Sequence, residues 1–276
     1  MAESTILAAG RAFGVVGAGV MGTAVAKGLL DSGLVAADRV WATARTQATC
    51  DKVAARLGVA ATLDYRGLVG TSGVILVGVK PWQIAGLAAA LAEAGVPEDA
   101  LLVSMVGGVS VERLESLLPG IWVRAVPNTP CVVGAGMTAI CAGTRATAVH
   151  MEVARRIFEA VGKCEVVDEG YVNAITALSG SGPAYMYLVI EALVDGAVKV
   201  GLRRDLATRL VSQTMLGAAR MVQETGRHPA ALKDDVTTPG GCTIEGLLTM
   251  EDGGVRAALA RGVQEATRVV ESMGGK

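Results

Sequence analysis

The residues whose types and spacing can do chemistry fall into a few short stretches. GAGVMG places Gly17, Gly19 and Gly22 in a G-x-G-x-x-G pattern, behind the apolar run 12–19 and ahead of a helical segment. Gly17 permits the tight turn, Gly19 lets backbone approach a pyrophosphate, and Gly22 allows close helix-to-strand packing. Val16, Ala18, Val20 and Met21 complete the loop, and the helix N-terminus behind it faces phosphates. Glycine pairs also mark ordinary turns, but this placement at the first strand of an alternating pattern points to dinucleotide binding. The second apolar run ends in Ala42, Thr43, Ala44 and Arg45, with no carboxylate before Asp51. A carboxylate there would hold a ribose 2'-hydroxyl, whereas Thr43 and Arg45 can hold a 2'-phosphate, which favours NADPH over NADH. The competing reading leaves Arg45 a solvated residue at a strand end.

GVKP (78–81) puts Val79, Lys80 and Pro81 at the carboxyl end of a strand, where open α/β sheets bind ligands. Lys80 is either close to the cofactor or a surface lysine at a helix start. PNTP (127–130) is a rigid turn on the same edge, a ligand contact or a structural loop. A second polar knot, DDVTTPGGCTIEGL (234–247), interrupts a C-terminal half that is otherwise Ala, Leu and Val at helical spacing, and it reads as the other half of an active site. SGSGP (179–183) follows a helical segment, so it does not fit a strand–Ser–helix nucleophile elbow and reads as a tight helix-to-helix corner. His150 and His228 lie near helix starts, and no Cys, His or carboxylate cluster has metal-ligand spacing, so no metal is expected. Hydride transfer needs neither metal nor covalent nucleophile, because the cofactor carries the chemistry.

The elements that must position these residues change character along the chain. The runs 12–19, 39–45, 73–79, 100–106 and 122–127 read as buried strands alternating with helix-like segments or turns. Runs 137–143 and 164–168, with a helix near 147–161, finish that layer. The pattern predicts an α/β fold, with a Rossmann-type, doubly wound, mostly parallel sheet over 1–168. An all-helical C-terminal domain over 169–276 follows, with helical segments at 171–178, 183–200, 204–225 and 254–273. The helix from Pro183 is apolar nearly all round and needs cover from a partner subunit.

Composition narrows the partners. Of 276 residues, 51% are hydrophobic and 18% charged, so surface is expected to be buried between subunits as well as within them. With 25 Lys and Arg against 26 Asp and Glu, nothing points to nucleic acid or an anionic membrane, and a small molecule is the expected partner. The most apolar stretch, 185–200, is broken by Glu191, Asp195 and Lys199, which makes it a buried helix and no membrane span. Five scattered cysteines imply reduced thiols and a cytoplasmic location. The start, MAESTILAAGRAF, reads as neither a secretory signal nor an organelle presequence.

Over essentially its whole length the chain resembles Δ1-pyrroline-5-carboxylate reductases, through GAGVMG (17–22), GVKP (78–81), RAVPNTP (124–130), LSGSGPAY (178–185) and DDVTTPGGCTIEGL (234–247), in that order. The resemblance implies an NAD(P)H-dependent imine reductase that makes proline, with interlocked homodimers commonly built into decamers. It implies a substrate carboxylate held on backbone N–H groups of the loop Val236, Thr237, Thr238, Pro239, Gly240 and Gly241, an anion nest at a helix start. Thr243 then matches the residue whose hydroxyl hydrogen-bonds the imine nitrogen; a first-turn structural threonine is the alternative. Thr176 is implied as a substrate neighbour, and the turn with Met105, Val106 and Gly107 as part of the cofactor site. Asp235 and Tyr65 stand where such chains often carry Asn, near the cofactor's ribose or adenine end, so the resemblance implies Asp235 as a cofactor-site residue. An aspartate beside a 2'-phosphate is unfavourable, so Asp235 opposes NADPH unless it faces the other ribose. A β-hydroxyacid dehydrogenase relative would need a catalytic lysine, for which Lys199 is placed too late in its helix. A cofactor-binding sensor without turnover would not need the TTPGGCT loop.

Overall fold

The computed structural model describes residues 7–8 and 10–274, so most of the N-terminal stretch read for a targeting signal lies outside the described residues. Eight strands form one sheet: β1 (Ala12–Val16), β2 (Val40–Thr43), β3 (Ala60–Thr62), β4 (Ser72–Val77), β5 (Leu101–Ser104), β6 (Ile121–Val126), β7 (Gly136–Ala142) and β8 (Gly162–Val166). Their order is β3-β2-β1-β4-β5-β6-β7-β8. Neighbours are parallel except β6 and β7, an antiparallel pair running from Val123 opposite Ala142 to Val126 opposite Ala139. The strand order reverses at β1, which pairs β2 on one side and β4 on the other. Such a reversal opens a crevice at the strands' carboxyl ends. The Rossmann-type sheet expected from the apolar rhythm is therefore present. Two details differ from the sequence reading: β3 is too short to carry a periodic signal, and β8 starts two residues earlier than the run CEVVD.

Period-two alternation puts successive strand residues on opposite faces, and both faces are covered. Val74, Leu76, Val103 and Val123 join one core with α1 (Val20–Asp31), α2 (Gln47–Leu57) and α6 (Ala148–Glu159), whose Leu29, Val53, Ile157 and Phe158 pack there. Ile75, Val77, Leu102 and Trp122 join the other, with Val69 of α3 (Arg66–Val69), Leu91 of α4 (Ile84–Glu93) and Leu114 of α5 (Val111–Leu117). Local chemistry sets the helix ends. The Thr46 hydroxyl accepts from Thr49 N–H at the start of α2, and Ser110 accepts from Arg113 N–H at the start of α5. His150 accepts from the Thr147 N–H at the start of α6, so this histidine acts as a cap.

Beyond β8 the strand signal ends, as the sequence implies. Glu169–Tyr171 form a short 3-10 turn, followed by α7 (Val172–Ile175), a π-helical turn Thr176–Gly180 and α8 (Gly182–Lys199). Ser181 keeps right-handed helical angles, φ −84 and ψ −21. The SGSGP stretch is thus no sharp corner. It is a widened helical turn, because the small residues let one extra residue be accommodated per turn, with the Ser179 hydroxyl donating back to the Ile175 carbonyl.

Contacts divide the chain into a unit running up to Gly180, together with the segment from Thr267, and a unit Ser181–Ala266. Residues 169–180 group with the sheet although the sequence reading began the helical domain there. Two polar ties explain the grouping. Glu169 Oε1 accepts from Arg124 Nη1 at 3.0 Å and from Val111 N–H at 2.7 Å, with Arg124 buried. Asn128, also buried, donates through Nδ2 to the Ser179 carbonyl at 3.0 Å and accepts at Oδ1 from Met137 N–H at 2.9 Å. PNTP is therefore a brace for the π turn.

The second unit holds α8, α9 (Arg204–Thr225), α10 (Pro229–Asp235), α11 (Cys242–Asp252) and the start of α12 (Val255–Gly274). α8 packs against α9, with Arg204 Nη1 and Asp195 Oδ1 2.7 Å apart. His228 accepts from Ala230 N–H and so starts α10. Neither α10 nor α11 had a periodic signal long enough to bound from sequence.

Replacing Asn128 by Ala leaves a backbone donor and acceptor unpaired, so Asn128→Ala is expected to destabilise the protein by about 1–3 kcal/mol. Asn128→Asp keeps the acceptor for Met137 and loses only the tie to Ser179, so its urea midpoint is expected between wild type and the alanine variant.

Candidate active site

Three strand ends meet at the glycine loop. Gly17 adopts φ +89, and a Cβ there would lie 2.7 Å from the Gly78 carbonyl oxygen. Its N–H donates to the Thr43 hydroxyl at 3.3 Å, while Ala18 N–H donates to the Thr43 carbonyl at 2.7 Å. Gly78 N–H in turn donates to the Val16 carbonyl at 2.8 Å, which stitches β1 to β4. A Cβ on Gly22 would meet the Gly17 carbonyl oxygen at 2.9 Å, so the first helix turn sits against the loop. Gly19, the residue before α1, is exposed and has open space where its Cβ would be. A phosphate needs that opening.

Around this loop lies a cleft of about 630 Å3. Its lining includes Val16, Gly17, Ala18, Gly19, Thr43, Ala44, Arg45, Val79 and Lys80 of the residues singled out from sequence. Val20, Met21, Gly22 and Pro81 lie beside it in the chain and do not line it: Val20 is exposed, Met21 packs on the core, and Gly22 is a packing contact. Met105 N–H donates to the Val77 carbonyl, and Val106 is a core residue, so the turn 105–107 sits at the end of β5 with its side chains used for packing. Thr43 is buried and its hydroxyl oxygen holds the glycine loop, which leaves exposed Arg45 as the charged group at the end of β2.

Several lining residues lacked a sequence signal. Thr46 and Thr49 belong to the start of α2, whose N-terminal N–H groups add an anion-favouring dipole beside Arg45. The T-x-x-T spacing behind Arg45 could have been read as that cap. Leu63, Tyr65, Trp82, Gln83, Gly86 and Leu87 close the other side. Burial pushes the Tyr65 phenol up from its ordinary value. Lys80 N–H donates to Gln83 Oε1, which starts the turn into α4.

In the second unit, the loop 236–241 connects α10 to α11. Val236 and Thr237 N–H groups donate to the Lys233 and Asp234 carbonyls, and Gly241 N–H to the Thr238 carbonyl, so these three are spent internally. Gly240 adopts φ +64, open to glycine without strain. Gly241 precedes the first helical residue, and the first-turn N–H groups of α11 lack intrahelical partners by geometry. Thr243 is half-buried in that first turn. Thr208, Thr214 and Thr249 lie deeper in their helices and donate to the carbonyl four residues back. For Thr243 the residue four back is Pro239 in the loop, and its hydroxyl makes no hydrogen bond among the described residues. By contrast, Thr176 of the first unit donates to the Val172 carbonyl at 2.7 Å. Asp235 pairs with Arg227 at 2.6 Å, and that guanidinium holds its carboxyl below the usual carboxylate range.

Residues 169–273 match the family model described as pyrroline-5-carboxylate reductase dimerisation, and residues 12–108 the one described as NADP oxidoreductase, coenzyme F420-dependent. The pyrroline-5-carboxylate reductase of Arabidopsis thaliana is 39% identical over 256 residues, 92% of this chain and 92% of the relative. The chain belongs to the pyrroline-5-carboxylate reductase family. It is an NAD(P)-dependent oxidoreductase. Among solved structures, the pyrroline-5-carboxylate reductase of Coxiella burnetii superposes with TM-score 0.89 at 32% identity, covering 96% of this chain and 98% of that one. The Plasmodium falciparum pyrroline carboxylate reductase, solved with NADP bound, superposes with TM-score 0.85 at 28% identity, covering 96% and 98%. Among the described residues, no helix of this reductase-family chain is long and apolar enough to cross a membrane.

The tight Gly17–Gly78 contact predicts that Gly17→Ala loses cofactor binding altogether while far-UV circular dichroism shows a folded chain. The Arg45 placement predicts that Arg45→Gln weakens NADPH binding about 10- to 100-fold, in the range of a lost charge-assisted phosphate contact. NADH affinity is expected to stay within about threefold of wild type. Fluorescence titration with each cofactor reads both.

Proposed function

We propose that this chain reduces the C=N bond of Δ1-pyrroline-5-carboxylate to give L-proline, with NADPH as the preferred donor and NADH as the alternative. The observation that carries the reading is the Thr243 hydroxyl: a half-buried, unpartnered donor in the first turn of α11, behind a loop open at Gly240. Family membership supplies the substrate, which is an anion with one imine nitrogen. A helix start with a hydroxyl close by suits both ends of such a molecule.

The bound nicotinamide supplies a hydride to the ring carbon of the C=N bond. All else is done by this chain. Gly17 and Gly19 give the pyrophosphate its approach, with the start of α1 behind them. Arg45 and the start of α2 neutralise a 2'-phosphate. Asp235 no longer opposes that assignment, since its charge is offset by Arg227. N–H groups of Thr238 and Gly240 and of the first turn of α11 hold the carboxylate, while Val236, Thr237 and Gly241 use theirs to keep the loop in shape. Thr243 Oγ1 orients the imine nitrogen, and a protonated imine takes up the hydride to leave a neutral amine without any further proton donor. Thr176, whose hydroxyl donates to the Val172 carbonyl, is kept as a substrate neighbour without a direct role in charge.

In this reading residues 1–168 carry the cofactor and 169–276 the substrate loop and the dimer contact. The working unit is a homodimer, assembled into a homodecamer, in the cytoplasm. Purified protein supplied with pyrroline-5-carboxylate and NADPH is expected to consume the cofactor and form proline stoichiometrically. Thr243→Ala is expected to lower kcat about 10- to 100-fold, the worth of a hydrogen bond to a charged group, with NADPH affinity unchanged. Wild-type turnover in that variant would remove Thr243 from the site.

A further inference from the structure

The Ser179 carbonyl lacks its ordinary helical donor. In an unbroken α-helix it would accept from the N–H four residues on, but that residue is Pro183, which has none. Asn128 Nδ2 donates to the carbonyl instead, at 3.0 Å, from the loop that follows β6. The Asn128 side chain is fixed in turn, since Oδ1 accepts from Met137 N–H at 2.9 Å and the residue is buried. A carboxamide held at both ends gives the turn 176–180 one position. A Cβ on Gly180 would lie 3.7 Å from Thr176 Cγ2 and 4.0 Å from Val126 Cγ1, so the turn rests on the last residue of β6.

That position is on the carboxyl edge of the sheet, at the end away from Arg45. The cleft takes in the residues that follow β1, β2 and β4. A dinucleotide lies across a reversal of strand order, so with its phosphates at β1 and its 2' position at β2, its other half extends over the ends of β4 and β5. The next strand in the sheet is β6. The π turn therefore stands at the nicotinamide end. Turns of this kind have poorer hydrogen-bond geometry than an α-helix and recur at functional sites. Thr176 opens this one with its proton committed to the Val172 carbonyl, so toward any ligand its oxygen can only accept. We infer that Asn128 is a positioning residue for hydride transfer. By holding the Ser179 carbonyl it sets where the π turn, and Thr176 with it, stands relative to the nicotinamide ring and the imine laid against it. Asn128 acts through the turn and not on the reacting atoms. This rests on the reductase reading above.

Asn128→Asp in the full-length protein tests this, because the carboxylate keeps the acceptor for Met137 and sets an oxygen against the Ser179 carbonyl. Rapid mixing of the protein–NADPH complex with saturating pyrroline-5-carboxylate follows the transfer step itself in a single turnover. Its rate is expected to fall about 10- to 100-fold, the cost of a small misplacement of reacting groups, while NADPH affinity stays within about threefold of wild type. A second variant separates position from stability. Adding Pro183→Ala to Asn128→Asp supplies an N–H for the Ser179 carbonyl, so the urea midpoint is expected to recover while the transfer rate stays low, since the turn is then drawn into a regular helix. Where Asn128→Asp alone does not fold, the double variant gives the rate. An unchanged transfer rate overturns the inference, as does a loss confined to NADPH affinity or a rate that recovers together with stability. Wild-type protein that binds NADPH but does not turn over pyrroline-5-carboxylate overturns the reductase reading instead. The emission of the bound nicotinamide then decides the place of Asn128: Asn128→Asp shifts it toward that of free NADPH if the turn walls the ring, and an unshifted emission overturns the inference.

Discussion

The structure depends on one close backbone approach, that of Gly17 to Gly78. With a Cβ at position 17 only 2.7 Å from the Gly78 oxygen, the loop after β1 can lie over the end of β4 only because neither residue has a side chain. The Gly78 N–H bond to Val16 and the two bonds to Thr43 then lock three strand ends into one platform. The cleft, the direction of α1 and the position of Arg45 all follow from that platform. A larger residue at either position would separate β1 from β4 at the point where the strand order reverses, and the crevice would close or splay.

The helix starts at Gly19 and Gly241 present mainly backbone groups to anions. The starts of α1 and α11 follow exposed Gly19 and the Gly240–Gly241 pair, which bring no side-chain cap, whereas Thr46 caps the start of α2. Side-chain charge is used sparingly: Arg45 is the exposed charged group at the end of β2, and Asp235 is paired with Arg227. Backbone donors suit a dinucleotide and a small carboxylate because they are fixed before the ligand arrives and need no side-chain ordering. Thr243, half-buried in the first turn of α11, makes no hydrogen bond through its hydroxyl among the described residues.

Strong apolar rhythm made the mostly parallel sheet and the glycine loop legible, since apolar runs and glycine spacing are local properties. The motifs PNTP and SGSGP were visible as turns, but their purpose was not. Asn128 braces the Ser179 carbonyl 51 residues away, and Arg124 meets Glu169 across 45, pairings that no local pattern encodes. The π turn escaped for a related reason, because it depends on that tertiary brace and on small residues whose local signal is the same as for a bend. Trp82 was hidden by its type. It lies next to Pro81 without a pattern of its own, and its exposure beside the cleft is what marks it.

The helical unit adds a constraint of its own. In α8 only Val194 is buried, while Met186, Tyr187, Leu188 and Leu193 are exposed by 41% or more. An apolar helix with so little cover within its own chain gains its stability from burial between chains. The stretch also matches a model described as a dimerisation region. The loop 236–241 belongs to the same unit, one helix on from the α8–α9 pair, and among the described residues its hydrogen bonds reach to α10 and to itself. A loop held by so few internal bonds keeps its shape only if the helices bearing it are held in place. The loop before Thr243 thus depends on α10 and α11 for its place, whereas the cleft at the glycine loop is built on buried strands.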